Sequence, residues 1–208
     1  MRAIANSIVV GFMATVLSVV LGTLAALGLA GSRSRAAAAI KMLFISPMIL
    51  PVILIAVSSY FFMAPLGLTN SYLGLVLGHT IIAVPFVVMP ILTALELLDP
   101  NLSRAAAACG ASPVLSFTSV IVPIIMPAMA SGALFAFATS FDDVVVALFI
   151  AGPDQRTLPK ELFTAMRSPM TPAYTSVATL MILFSTASFI LMQRLQRKAK
   201  AHQKKITS

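Results

Sequence analysis

Long apolar runs separated by short polar connections set the pattern of this chain. Four of them reach the roughly 20 residues needed to cross the hydrocarbon core of a bilayer, and a fifth is nearly as clear. They predict helices over about Ile4–Ala30, Met42–Met63, Ser71–Leu95, Ile124–Ile150 and Pro172–Gln193. The first carries Ser18, Gly22, Ala26 and Ala30 four apart, a stripe that admits a close neighbour. Pro47 and Pro51 remove backbone donors in the second and are expected to kink it or delay its regular start. The third holds Gly74 and Gly78 in GxxxG spacing, then His79, Pro85 and Pro90, and Pro127 is expected to interrupt the fourth early.

The connection Leu98–Pro123 is the most punctuated. Asp99 can cap a helix starting at Pro100, Gly110 can end it, and Ser112 with Pro113 repeats the cap-and-proline start for a second short piece, before Pro123 opens the fourth run. In Gly152–Thr171, Pro159 marks the start of a short re-entrant or interfacial helix, Lys160–Arg167.

Composition narrows the class. Of 208 residues, 59% are apolar and 10% charged, against about 45–50% and about 25% in ordinary globular domains. The expected fold is all-α, a polytopic bundle of about five transmembrane helices, with residues 1–193 as the membrane domain and 194–208 as a basic tail. The net charge of +8 is concentrated in that tail, which follows an apolar run and reads as a cytoplasmic anchor rather than a nucleic-acid arm. Segments on the tail's side hold ten Lys or Arg (33, 35, 41, 104, 194, 197, 198, 200, 204, 205) and those opposite hold four (2, 156, 160, 167). The tail and the Leu98–Pro123 loop are therefore expected in the cytoplasm, and an odd number of spans puts the N-terminus outside.

Candidate chemistry sits inside the fourth run. Asp142 and Asp143 stand about nine residues from its outer end, about 14 Å deep at 1.5 Å per residue. A carboxylate there costs about 2.5–3.5 kcal/mol. No Lys or Arg lies in any predicted span, so the partner is another subunit, water or a cationic ligand. Adjacent helical residues point about 100° apart, so the two acids do different jobs or specify packing as a satisfied pair. His79 is either a proton or substrate ligand or a residue hydrogen-bonded to a neighbouring helix. The chain has no GxxxxGK[ST] loop, no GxGxxG after a strand, no clustered metal ligands, no GxSxG and no HExxH, which argues against an enzyme and against a bound cofactor or metal. The single Cys109 makes no internal disulfide.

The loop resembles the cytoplasmic signature of binding-protein-dependent ATP-binding-cassette (ABC) importer permeases: Glu-Ala-Ala, three residues, Gly, nine residues, Ile-x-Leu-Pro. Ala105, Ala106, Gly110 and Pro123 match, Val120 and Val122 are conservative changes, and Arg104 reverses the charge of the glutamate. The stretches SFDDVVVALFIAGP, LPKELFTAMR and ATLMIL are similar to the C-type permeases of its spermidine/putrescine branch. The resemblance implies a coupling helix seated on a cytoplasmic ATPase dimer that binds the ATP, a heterodimer with a second permease subunit, a periplasmic substrate-binding protein, an inner-membrane location, and a polyamine pathway using Asp142 and Asp143. It also implies one further N-terminal span ahead of the one at Ile4. Kept beside it are an importer for ferric iron or an opine, and a proton-driven secondary transporter using Asp142, Asp143 and His79 or a membrane scaffold. A secondary transporter usually carries an inverted internal repeat, which this sequence does not display.

Overall fold

In the computed structural model, residues 2–99 and 101–166 are described, together with isolated positions between 176 and 194. The predicted fifth span and the basic tail lie outside the described residues. Among those described there is no strand, and three helices are long and apolar enough to span a membrane, or four if a bent pair counts as one span.

Helix α4 (Tyr72–Glu96) is the centre of the bundle, and 72% of its most apolar stretch is buried. Helix α1 (Arg2–Leu29) packs on one side of it through Val10, Ala14, Ser18, Gly22 and Ala26, all buried at intervals of four. The small-residue stripe is thus a real seam: a Cβ at Gly22 would lie 2.9 Å from Val87 of α4. Helix α7 (Val122–Asp142) packs on the other side, where a Cβ at Gly132 would come within 3.0 Å of the Val87 backbone. Two glycines from different helices therefore clamp one residue of α4, and axes approach this closely only where side chains are missing. The GxxxG pair in α4 is not one seam. Gly74 faces the Leu68 carbonyl of the preceding turn, whereas Gly78 faces Val146 and Ile150.

The second predicted span bends at one of its prolines and begins earlier than expected. The chain forms α2 (Arg35–Ile49) and α3 (Val52–Met63), bent by 110° at Leu50–Pro51. Ser34 starts α2 by accepting from Ala37 N at 3.1 Å. The helix runs through Pro47 and stops because a residue before proline is driven to extended backbone; Leu50 has ψ 141°. The kink expected from the prolines is a sharp elbow at Leu50–Pro51, and the first helix starts earlier than predicted, at Arg35.

The punctuated loop begins as expected: Asp99 Oδ1 accepts from Asn101 N at 2.9 Å, α5 (Asn101–Ala108) follows, and Gly110 adopts φ +83°. Pro100 lies outside the described residues. Ser112 then accepts from Leu115 N, opening α6 (Pro113–Ser116). This piece is not a separate short helix. It continues through a π-helical stretch, Phe117–Ile121, into α7, making one 30-residue element. In the π stretch Val122 N bonds the Phe117 carbonyl five residues back, and the widened turn lies just before Pro123, which has no N–H to offer. Pro127 stays inside the helix.

The fourth predicted span, Ile124–Ile150, is instead broken at Asp143, which has extended backbone (ψ 128°), and α8 (Val145–Ile150) is a separate short helix. Helix α9 (Leu158–Ala165) lies close to the predicted Lys160–Arg167, shifted two residues earlier, with Pro159 in its first turn. Polar ties fix this end of the bundle. Asn6 Nδ2 donates to the carbonyls of Asp154 and Arg156, each at 2.9 Å, and the Tyr72 hydroxyl donates to Asn6 Oδ1 at 2.9 Å. Ser7 Oγ accepts from Leu158 N at 2.7 Å, and Lys160 Nζ donates to the Ala151 carbonyl at 2.6 Å. Burial, and secondarily the Arg156 guanidinium, lowers the Lys160 pKa from its ordinary value. At the opposite end Lys41 of α2 pairs with Glu96 of α4 at 2.6 Å.

Candidate functional site

The acidic pair sits where α7 gives way to α8, so the two carboxylates are not neighbours on one helix surface. An aspartate placed three residues before a free helical N–H is a natural N-cap, because its carboxylate replaces the missing carbonyl acceptor. Asp143 does this for α8: Oδ2 accepts from Val146 N at 2.9 Å and from Ala147 N at 3.3 Å. Its side chain is 7% exposed. Asp142, the last residue of α7, is exposed, and among the described residues it forms no ion pair. The structure therefore divides the pair into a buried structural carboxylate and an accessible one.

Helix α4 supplies the other side of the site. His79 is fully buried at 0% exposure, and its Nδ1 is 2.8 Å from Ser140 Oγ in the last turn of α7. Its Nε2 has no hydrogen-bond partner and lies 3.9 Å from Asp143 Oδ2. Of the two readings open for His79, the hydrogen bond to a neighbouring helix is the one observed. The next residue back, Gly78, lets α8 close on α4: a Cβ there would be 2.7 Å from Ile150 and 2.8 Å from Val146. His79 is seven residues into α4, about 10 Å from that helix's start at 1.5 Å per residue.

At the other end of the bundle the loop residues Arg104, Ala105 and Gly110 are exposed, Ala106 is half-buried, and Cys109 is exposed beside them. Pro123 is exposed and stands one residue into α7. The loop presents its surface away from the core: no residue of α5 is buried. The site residues therefore form two groups, the break with Asp142, Asp143 and His79, and the α5 loop, joined through the single element that runs from Pro113 to Asp142. Sequence reasoning passed over Ser140, although it lies in the quoted SFDD stretch, and the Asn6–Tyr72 tie, whose only signal is a polar residue at the mouth of an apolar run. A separate apolar cavity of about 900 Å³ lies in the α2–α3 elbow against α4, lined by residues such as Phe44, Pro47, Leu54, Ser58 and Thr80. None of the acids or His79 lines it.

Comparison with known proteins places this geometry. The chain is 32% identical over 197 residues to the spermidine/putrescine transport system permease protein PotC of Haemophilus influenzae, covering 95% of this chain and 77% of the relative. It is 30% identical over 189 residues to the putrescine transport system permease protein PotI of Escherichia coli, covering 88% of this chain and 67% of the relative. Among solved structures the fold is similar to that of a bacterial ABC transporter involved in import of the acidic polysaccharide alginate, with TM-score 0.69, 16% identity, and coverage of 95% of this chain and 74% of that one. An amino acid ABC transporter with histidines gives TM-score 0.68 at 15% identity, covering 94% and 92%. The family described as the binding-protein-dependent transport system inner membrane component matches residues 3–201. This chain belongs to that family of inner-membrane transport components.

Proposed function

We propose that this chain is a permease subunit of an ATP-driven importer of polyamines of the spermidine/putrescine class. The observation that carries the substrate is Asp142: an exposed carboxylate at the C-terminal end of a membrane helix, in a region whose helices α3, α4, α7 and α8 contain no Lys or Arg. A helix C-terminus adds negative dipole to the carboxylate, and both favour an alkylammonium group over an anion. Two relatives named for polyamine transport support the same class. Asp143 contributes from behind as the cap that holds the break.

ATP is bound and hydrolysed by a separate cytoplasmic ATPase dimer that seats the α5 loop, with Arg104, Ala105, Ala106 and Gly110 at the contact and Pro123 leading into α7. A second permease subunit completes the pathway, and an extracytoplasmic binding protein delivers the substrate. The charge bias supports a cytoplasmic C-terminus and an outer N-terminus. The test is reconstitution with the second permease, the ATPase and the binding protein in liposomes. Putrescine- or spermidine-loaded binding protein is expected to stimulate ATP hydrolysis and drive uptake; stimulation by another loaded binding protein but not by these rejects the polyamine assignment.

A further inference from the structure

The proposed substrate reading uses Asp142 and leaves the fully buried His79 without a task, and its contacts suggest one. His79 is at 0% exposure, so it does not touch a substrate in this conformation. It bonds the α7 side of the helix break and faces the other side without a bond. Nδ1 holds Ser140 of α7 at 2.8 Å, two residues before Asp142, and Nε2 faces the capping oxygen of Asp143 at 3.9 Å. Beside it, Gly78 lets Val146 and Ile150 of α8 close onto the same turn of α4. A break in a membrane helix leaves carbonyls and N–H groups with no ladder partner, and such a break persists only where neighbours satisfy or protect it.

We propose that His79 is a positioning residue of the transport site: from the buried core of α4 it ties the end of α7 to α4 through Ser140 and thereby fixes the break that presents Asp142. The role rests on the reading of Asp142 as the accessible acid, and its test does not require the substrate to be known. Ser140 is the link through which it acts, and the unpartnered Nε2 leaves the Asp143 carboxylate free to cap α8.

The assembled transporter in nanodiscs is labelled with a charged thiol reagent at Asp142→Cys, in a Cys109→Ser background, and the rate is read on this chain alone. His79→Leu and Ser140→Ala are each expected to slow labelling at position 142 by up to about fivefold, the most that loss of one hydrogen bond of about 1 kcal/mol can shift the presented population. A cysteine at Asn101, on α5, is expected to label at the parent rate in both. His79→Asn retains an amide near the Nδ1 position and is expected to restore most of the rate. The double variant His79→Leu with Ser140→Ala falls no further than either single one, since both remove the same bond. Parent-rate labelling in Ser140→Ala and His79→Leu overturns the proposal, as does a drop at Asn101→Cys equal to that at position 142. If His79→Leu fails to assemble, Ser140→Ala decides alone. Slowed labelling together with failure of polyamine stimulation keeps the positioning role and removes only the substrate reading.

Discussion

Replacing each aspartate of the pair in turn separates a capping carboxylate from a substrate-facing one. Asp143→Ala removes the acceptor for two backbone N–H groups, at Val146 and Ala147, in a position where the side chain is only 7% exposed. Loss of an N-cap costs about 0.5–2 kcal/mol, and poor access to replacement water puts this site near the upper end, about 2 kcal/mol. At about 2–4 °C per kcal/mol for a chain of this size, the melting temperature should fall by about 4–8 °C. Asp143→Asn keeps an acceptor oxygen and should stay within about 0.5 kcal/mol of the parent. Asp142 caps no helix among the described residues, so Asp142→Asn should leave melting unchanged while lowering uptake more than Asp143→Asn does. Melting of the purified complex and initial uptake rates in proteoliposomes read the two effects separately. If Asp142→Ala and Asp143→Ala shift melting equally, the division of roles is wrong. If Asp143→Asn abolishes uptake while Asp142→Asn leaves it intact, the roles are reversed.

Other perturbations test the rest of the frame. Gly110→Val places a β-branched residue at φ +83° and should cost about 1–2 kcal/mol locally; ATP hydrolysis should continue while uptake per ATP falls, and an unchanged ratio would remove the loop from coupling. Arg104→Glu, on the exposed α5, should leave or improve that ratio, whereas abolished uptake would mean the loop docks differently. Gly78→Val drives a side chain into Val146 and Ile150 and should destabilise by about 1–3 kcal/mol, read as a lower melting temperature; a neutral result would refute the α4–α8 contact. Tyr72→Phe removes the donor to Asn6 and should speed proteolysis within residues 151–157 without changing the yield of assembled complex; equal cleavage rates would show that the tie does not hold this segment.

The bundle was readable where one physical signal acted alone. The stripe Ser18, Gly22, Ala26 announced a close seam, and Asp99 and Ser112 announced helix starts, because a small side chain or a cap acts locally whatever packs nearby. Errors arose where two signals competed. The apolar runs Met42–Met63 and Ile124–Ile150 have the length of a span, so the first was read as one span kinked or delayed at its prolines and the second as one span interrupted only near Pro127. In the first, Pro51 forces Leu50 extended; in the second, Asp143 has the three-residue spacing to Val146 N that marks a cap, a signal masked by the valines around it. His79 was visible as an oddity, but its contacts depend on α4 and α7 lying side by side, which a linear pattern does not contain. Arg104 remains a departure from the family signature that the exposed surface of α5 tolerates without a buried partner.

The elbow at Leu50–Pro51 has a consequence for the lipid. Helix α3 has 12 residues and so spans about 18 Å, well short of a hydrocarbon layer about 30 Å thick, while α4 beside it has 25 residues and reaches about 37 Å. Among the described helices the apolar lengths are therefore uneven, with α3 short of the layer where α1 and α4 exceed it. A bilayer meeting α3 has to thin or rearrange, at fractions of a kcal/mol for each ångström of mismatch. Protein laid against a helix as short as α3 would relieve that cost without any specific contact, so the elbow makes membrane thickness bear on where neighbours settle.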